Sequence, residues 1–194
     1  MKRIIFLTVF LLISLASFAQ TPTEHLTFKG VPIDGTLSEF VTKMKNAGFS
    51  HIGTKDGVAL LSGNFAGYRD CAIGVHASKE TKTINTVAVI FPERDNWSSL
   101  EDNYESLKSM LTQKYGEPAN CVEKFQTYTQ PNSDNDKLYH LKMDQCTYYT
   151  TFETPNGNIE LSLKNNNSIH CFVILQYWDK INTSVVKKQA IEDL

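Results

Sequence analysis

The sequence predicts an α+β protein in which an antiparallel sheet has helices packed on one face, with a helix-then-strands arrangement occurring twice. Two segments place apolar residues at helical spacing, each between an N-terminal capping signal and a glycine stop. The other apolar segments are short and joined by short turns, which is typical of antiparallel strand pairing. These observations divide the domain into possible halves at residues 26–92 and 96–179.

In the first half, a strand is predicted over 26–31, before a helix that starts at Thr36. Thr36 and Glu39 form a capping box, and Gly48 ends the helix because glycine tolerates a left-handed conformation. The apolar stripe of this helix is Leu37, Phe40, Val41 and Met44. Strands follow at 58–61, 71–76 and 83–91. The segment 83–91 is apolar enough for a central strand buried on both faces.

In the second half, Ser98 and Glu101 predict a second capping box, and Gly116 stops the helix. The buried stripe of this helix is Leu100, Tyr104, Leu107, Leu111 and Tyr115. Strands are predicted at 121–127, 138–143, 146–153, 159–163 and 170–178, and a short helix at about 184–194. The run 132–136 is rich in turn formers, so it predicts a hairpin between the first two of these strands.

The first 19 residues have the three parts of a cleavable signal peptide. Lys2 and Arg3 form a positive start, 4–13 is an apolar run, and Ala19 ends a small-residue cleavage site. The apolar stretch is shorter than the roughly 17 residues that a membrane span requires. The sequence therefore predicts a single secreted domain at residues 20–194, without a transmembrane segment after cleavage, that is periplasmic or extracellular.

The charge of the processed chain argues against nucleic acid as a partner. Loss of Lys2 and Arg3 leaves 17 basic and 21 acidic residues, a net charge of −4 with histidine neutral. The densest basic run is Lys187-Lys188, which is too short to follow a phosphate backbone.

The four cysteines, an even number in an exported chain, predict two disulfides. A hairpin folded at residues 133 and 134 would place Cys121 opposite Cys146, within bonding range. Cys71 would then pair with Cys171 by elimination. No C-x-x-C spacing indicates a zinc or thioredoxin-type site.

Candidate chemistry is weakly signalled, and no catalytic residue, metal ligand or cofactor is predicted. His51, His76, His140 and His170 have no metal-ligand spacing, although His76 and His170 could approach each other on strands. His25 is expected in a disordered N-terminus. His170 and Cys171 are strand neighbours that point to opposite faces, so they form no nucleophilic pair.

Two further patterns allow only weak functional interpretations. The run 132–136 resembles the start of a calcium loop but lacks the glycine and the acid that the loop needs further on. Glu153, Glu160 and Asp144 could supply a carboxylate pair for glycoside hydrolysis, whose mechanism depends on their separation.

The aromatic residues offer the remaining indication of a binding surface. Tyr148 and Phe152 share one strand face and Tyr149 the other, while Tyr177 and Trp178 end the last strand. Aromatic residues exposed together on one sheet face would form a platform for a sugar, a peptide or a protein.

Three phrases resemble a family of exported proteins of Bacteroides-type gut bacteria that has no known activity. They are Phe28-Lys29-Gly30-Val31-Pro32-Ile33-Asp34-Gly35, Leu61-Ser62-Gly63-Asn64-Phe65-Ala66-Gly67 and Lys114-Tyr115-Gly116-Glu117-Pro118. The resemblance implies a small secreted or periplasmic domain and no reaction. At the level of fold, the chain also resembles secreted inhibitor domains built from helix-plus-sheet repeats.

These inferences favour a non-enzymatic exported domain that binds a protein or a glycan at the cell envelope. The alternative is a secreted hydrolase that acts on envelope or dietary glycans through carboxylates. A deep polar cleft with two facing acids would favour the hydrolase, and an exposed aromatic sheet face would favour the binding domain.

Overall fold

The computed structural model describes residues 24–192 and 194. The predicted signal peptide at residues 1–19 lies outside them. The described part of the chain contains four helices and ten mostly antiparallel strands, which confirms the α+β class. In chain order the elements are β1 (Thr27–Phe28), β2 (Val31–Pro32), α1 (Leu37–Asn46), β3 (Ser50–Lys55), β4 (Val58–Phe65), β5 (Tyr68–Ala77), β6 (Ile84–Ile90), α2 (Trp97–Tyr115), β7 (Asn120–Phe125), α3 (Asp134–Lys142), β8 (Cys146–Thr154), β9 (Gly157–Asn166), β10 (His170–Asp179) and α4 (Lys180–Glu192).

Eight of the strands form one antiparallel sheet in the order β3-β4-β5-β6-β10-β9-β8-β7. β6 and β10 pair at its centre, and β3 and β7 form its edges. Along the chain, α1 precedes β3 to β6, and α2 precedes β7 to β10. The two remaining strands, β1 and β2, pair as a small hairpin.

The capping box predicted for α1 is present. The Thr36 hydroxyl accepts a hydrogen bond from the Glu39 backbone N–H at 3.4 Å, and Glu39 Oε2 accepts one from the Thr36 N–H at 3.0 Å. These bonds satisfy two of the amide donors that a helix N-terminus leaves free. Phe40, Val41 and Met44 are buried, so three of the four predicted stripe residues are in the core.

The N-terminus of α2 differs from its prediction. Asn96 caps the helix, and its side-chain oxygen accepts a hydrogen bond of 2.9 Å from the Ser99 N–H. The Ser98 hydroxyl instead contacts Asp134 at the start of α3. Asn is as good a cap as Ser, and its use starts the helix two residues earlier than predicted.

The predicted strand at 138–143 is wrong, because that segment belongs to α3. Ser133 caps this helix by accepting a hydrogen bond of 3.3 Å from the Asp136 N–H. Asp134 and Asp136 lie in the first turn, where negative charge complements the helix dipole. Leu138 and Leu141 are buried at a spacing of three residues. The turn formers that predicted a hairpin are therefore a helix start.

The six inner strands bury one face of the sheet, to which α2 contributes many aromatic contacts. Trp97 and Tyr104 pack edge-on against Tyr148 of β8, and the Tyr104 hydroxyl bonds Thr150 Oγ1 at 2.6 Å. Alternate residues of every inner strand are buried with them, among them Ile73, Val75, Val87, Val89, Leu161, Val173 and Leu175. Such strict alternation is the mark of a sheet that buries one face on a core.

The segment before β1 is anchored by the buried carboxylate of Asp179 at the end of β10. This carboxylate accepts hydrogen bonds from the Leu26 N–H at 2.7 Å and the Asn182 N–H at 2.9 Å, and His25 Nδ1 lies 3.0 Å away. Asn182 also donates to the backbone oxygens of Ile33 and Ile84. The expectation that His25 lies in a disordered N-terminus is therefore wrong, because its ring is held between Asp179 and Asp34.

Candidate binding surface

The side chains that alternate with the buried set form a second sheet face, which we call the open face. It carries Leu60, Ala72, Gly74, Ala88, Ile90, Tyr149, Ser162, Phe172, Ile174, Gln176 and Trp178. Most of these residues are half-buried by their neighbours within the sheet, and Leu60 is 39% exposed. The open face therefore presents partly apolar side chains toward solvent.

Strand register places these residues in straight rows across the sheet. One row runs through all eight strands and consists of Ser50, Ser62, Ala72, Ile90, Ile174, Ser162, Tyr149 and Val122. A second row consists of Leu60, Gly74, Ala88, Gln176, Glu160, Thr151 and Asn120. Small residues on β5 and β6 keep the middle of the face low between larger side chains.

Most of the charge on the open face lies away from the Ile90–Ile174 pair, but Glu160 lies near its centre, opposite Gln176. Ile90 and Ile174 are paired where β6 meets β10, and Ala88 pairs with Gln176 beside them. Lys124 pairs with Thr147 at the start of β8, and Lys164 pairs with Phe172 near the start of β10. Glu153 lies near the other end of β8. Apart from Glu160, the face therefore has the apolar centre and polar margin found in protein interfaces.

Ser162 leaves hydrogen-bonding capacity unused on this face. It is 1% exposed, beside Ile174 and Tyr149, and its Oγ has no hydrogen-bond partner within the described chain. A buried hydroxyl without a partner costs free energy, so a ligand group or water that reached it would be bound favourably.

The sequence prediction for β6 missed this face. We expected the segment 83–91 to be buried on both sides, but Ala88 and Ile90 lie on the open face and are only half-buried. The same holds for Ile174 and Trp178 of β10. The sequence does contain the signal, because both sides of these central strands are apolar although helices account for only one side.

The predicted aromatic platform is divided between the two faces. Tyr148, Phe152 and Tyr177 belong to the buried face, where Phe152 and Tyr177 are 1% and 4% exposed. Burial raises the pKa of Tyr177 well above its ordinary value, so its phenol stays neutral in the core. Tyr149 and Trp178 lie on the open face together with Phe172.

The cysteine pairing expected from the hairpin is wrong. All four cysteines are unbonded. Cys121 lies opposite Thr150, and Cys146 lies opposite Phe125, four residues along the strand from the predicted position. Cys71 and Cys171 lie on β5 and β10, which β6 separates. Strands two places apart are about 9.6 Å from each other, beyond the reach of a disulfide.

The thiols differ strongly in their surroundings. Cys71 and Cys171 are fully buried, and Cys121 is exposed on the edge strand β7. Burial raises the pKa of Cys146 to about 12, with the nearby Cys171 adding to the effect. Burial likewise raises the pKa values of Cys71 and Cys171. These three thiols therefore carry little thiolate near neutral pH.

The histidines are dispersed. His51 bonds Thr54 at 3.0 Å, His140 bonds Gln145 at 2.8 Å, and His170 lies 2.5 Å from Glu93. His76 bonds Asn85 at the start of β6, which pairs with the end of β10 near Trp178. His170 lies at the other end of β10, as its first residue. His76 and His170, which the sequence allowed to approach each other, therefore lie apart. Within residues 24–192, no group of three or more His, Cys, Asp or Glu side chains is placed to hold a metal ion.

The candidate carboxylates do not form one cleft. Glu153 and Glu160 lie on the open face as diagonal neighbours on β8 and β9. Asp144 lies before β8, at its other end, where its Oδ1 accepts a hydrogen bond of 2.8 Å from Asn165. An acid pair for glycoside hydrolysis would therefore consist of Glu153 and Glu160 on an exposed sheet surface.

No family model, characterised protein or solved structure matches this chain. Among the helices of the described residues, none is long and apolar enough to cross a membrane.

Proposed function

We propose that this chain is an exported, non-enzymatic binding protein whose open sheet face docks a protein partner. The observation that carries the proposal is the apolar centre of that face, where Ile90 and Ile174 are paired and half-buried. Burial of such side chains by a partner would be favourable at roughly 25 cal/mol per Å² of apolar surface.

The size of the open face fits a protein partner. Eight strands about 4.8 Å apart span about 34 Å, and the rows from Phe172 to Trp178 add about 20 Å along the strands. This is close to the roughly 800 Å² per partner of a standard protein interface. A monosaccharide or a short glycan would cover only part of it.

We propose that the helix-then-strands arrangement occurs twice and that the helices α1 to α3 cover the same face. In support, α1 contacts β3, β4 and β5, while α2 and α3 contact β8, β9 and β10. The order of strands outward from the β6–β10 pair is the reverse of chain order in each half. On the other face, α4 lines a pocket together with Asn158 and Trp178, so the part of that face left for a partner is the region around Ile90 and Ile174.

Export from the cytoplasm is part of the proposal, with the leader at 1–19 as its support. The partner is then a protein of the envelope or of the surroundings of the cell. The resemblance to exported proteins of Bacteroides-type bacteria, carried by phrases such as that at 28–35, is consistent with this location. The hydrolase is the weaker proposal, because the pocket that Glu153 lines does not include Glu160.

Capture of partners from the native envelope with single-residue variants tests this proposal. We expect Ile174→Arg or Gln176→Ala to reduce capture of a specific protein at least tenfold, since both change the centre of the open face. The control is Val185→Arg, at an exposed apolar position on α4, which should leave capture unchanged. Circular dichroism and thermal unfolding must show that each variant is folded.

Two outcomes would contradict the proposal. One is equal capture by the parent and both open-face variants. The other is loss of binding to a purified envelope polysaccharide in the same variants, with no protein captured, which would make the open face a glycan site.

A further inference from the structure

A pocket of about 280 Å³ lies on the opposite side of the molecule from the open face. It is formed where the β1–β2 hairpin and the β4–β5 turn meet α2, so both halves of the chain contribute to it. Its lining includes the largely apolar side chains Phe65, Leu107, Leu111, Leu175 and Tyr177. The volume is near the lower end for small-molecule sites, which run from about 300 Å³ upward.

The charge on the pocket has one sign. Lys29 of the hairpin and Lys114 of α2 both line it, and its lining residues in the described chain include no Asp or Glu. Lys114 lies 4.8 Å from the centre of the Tyr115 ring, and no carboxylate of residues 24–192 pairs with either lysine. Two ammonium groups beside an apolar cavity favour an anion that has an apolar body.

We propose that this pocket binds a small monocarboxylate with an alkyl or aryl body. The body would occupy the space above Leu107, Leu111 and Leu175, and the carboxylate would lie between Lys29 and Lys114 at the mouth. This site is independent of the proposed docking of a protein on the open face, so either proposal can fail without the other.

The backbone around the mouth is fixed by turn geometry. Lys29 and Gly30 form the β1–β2 turn with positive φ angles of 52° and 77°, and Ala66 and Gly67 form the β4–β5 turn with 50° and 85°. Two consecutive residues in this region are characteristic of tight hairpin turns. Lys29 is therefore held at the tip of a short hairpin rather than on a long loop, which reduces the ordering that a ligand would have to impose.

Calorimetric titration with octanoate and phenylacetate, each compared with its alcohol, tests the site. The charge of the ligand should matter, so we expect octanoate to bind at least tenfold more tightly than octanol. The double variant Lys29→Gln/Lys114→Gln should lose this tenfold preference and retain the affinity for octanol. The matched control Lys188→Gln removes a lysine on α4, outside the pocket, and should change neither affinity.

A second variant tests the position of the ligand. Met110 lines the pocket from α2 and is 40% exposed, so Met110→Trp can fill the pocket with little risk to folding. Met110→Trp should abolish binding of octanoate and of phenylacetate, whereas Met110→Ala should preserve binding of both acids. In methyl NMR spectra of the parent, octanoate should shift the resonances of Leu107, Leu111 and Leu175 but leave Ile174 on the open face unchanged.

Three results would overturn the proposal. They are equal affinity for the acid and the alcohol, undiminished octanoate binding in the double lysine variant, and shifts confined to Ile174. If phenylacetate alone binds, the class narrows to aryl carboxylates, and if octanoate alone binds, it narrows to alkyl carboxylates.

Discussion

Cys121 differs from the other cysteines in its exposure, which is one of the properties that control thiol reactivity. It is exposed on the edge strand β7, whereas Cys71 and Cys171 are buried and the pKa of Cys146 is raised to about 12. Thiolate is the reactive form, and a thiol must also be reached by the reagent. We predict that iodoacetamide labels Cys121 in the folded protein and labels the other three only after denaturation, as measured by mass spectrometry of the peptides. Rapid labelling of Cys146 in the folded protein would show that the sheet edge beside α3 opens.

Asp34 makes the stability of the fold depend on pH through the contacts of a single carboxylate. Burial raises its pKa, but hydrogen bonds from the Asn182 side chain and the Gly35 backbone, together with the charge of His25, outweigh this effect. The pKa of Asp34 is therefore below its ordinary value of 3.8. A carboxylate with a lowered folded-state pKa stabilises the protein above its unfolded-state pKa, and this contribution is lost as pH falls through the folded-state value.

We therefore predict that Asp34→Asn is less stable than the parent at pH 6 and that the difference shrinks as the pH falls below about 3.8. Urea unfolding at pH 6, 4 and 2.5 measures it. Asp102→Asn on the exposed surface of α2 is the control and should give a small difference at every pH. A difference for Asp34→Asn that stays constant from pH 6 to 2.5 would mean that its charge is not what stabilises the fold.

The hairpin of β8 and β9 depends on a glycine whose neighbours leave no room for a side chain. A Cβ at Gly157 would lie 2.2 Å from the backbone oxygen of Trp178 and 2.9 Å from Leu26 Cδ2. The first contact is with backbone of the central strand β10, which cannot move without breaking its pairing with β6. We predict that Gly157→Ala lowers the free energy of unfolding by roughly 3 kcal/mol. At Gly53, a Cβ would meet nothing within 4 Å, so Gly53→Ala should lower the free energy of unfolding by well under half as much. Urea denaturation measures both losses.

At the scale of helices and strands, sequence patterns predict an element well where several signals agree. For α1, the capping box at Thr36, the apolar stripe and the glycine at position 48 all support one helix, and the structure contains it. For α3, the buried pair Leu138 and Leu141 is too short a stripe to distinguish a helix from a strand, and the turn formers before it are equally good helix caps. Local pattern could not resolve that choice, because packing of α3 against α2 and β9 decides it.

The strand β3 (Ser50–Lys55) was not predicted because it lacks an alternating apolar pattern. None of its residues is buried, and it lies at the edge of the sheet, where its place is set by pairing with β4. The open face was missed for a related reason. Apolar residues on both sides of β6 and β10 indicate contact on both sides, but the sequence does not tell whether a helix of the same chain or a partner makes the second contact.

At the scale of the whole molecule, contacts between the two halves are spread through the structure. β6 pairs with β10 along five residue pairs at the centre of the sheet. Phe28, before the first half's helix, packs against Tyr177 of β10 with ring centroids 5.5 Å apart, and the Leu26 N–H bonds Asp179 at the end of β10. The first half therefore depends on the second for its N-terminal anchor and for the partner of its central strand.

We accordingly predict that the two halves unfold together. Differential scanning calorimetry should show one transition whose calorimetric and van't Hoff enthalpies agree, as expected for two-state unfolding. Residues 20–92 alone should not fold, because β6 would become an edge strand with Val87 and Val89 partly uncovered, and Phe28 would lose its contact with Tyr177. Two separated transitions, or a folded 20–92 fragment by circular dichroism and NMR, would instead show that each helix-then-strands half is an independent unit and that the open face is assembled from two modules.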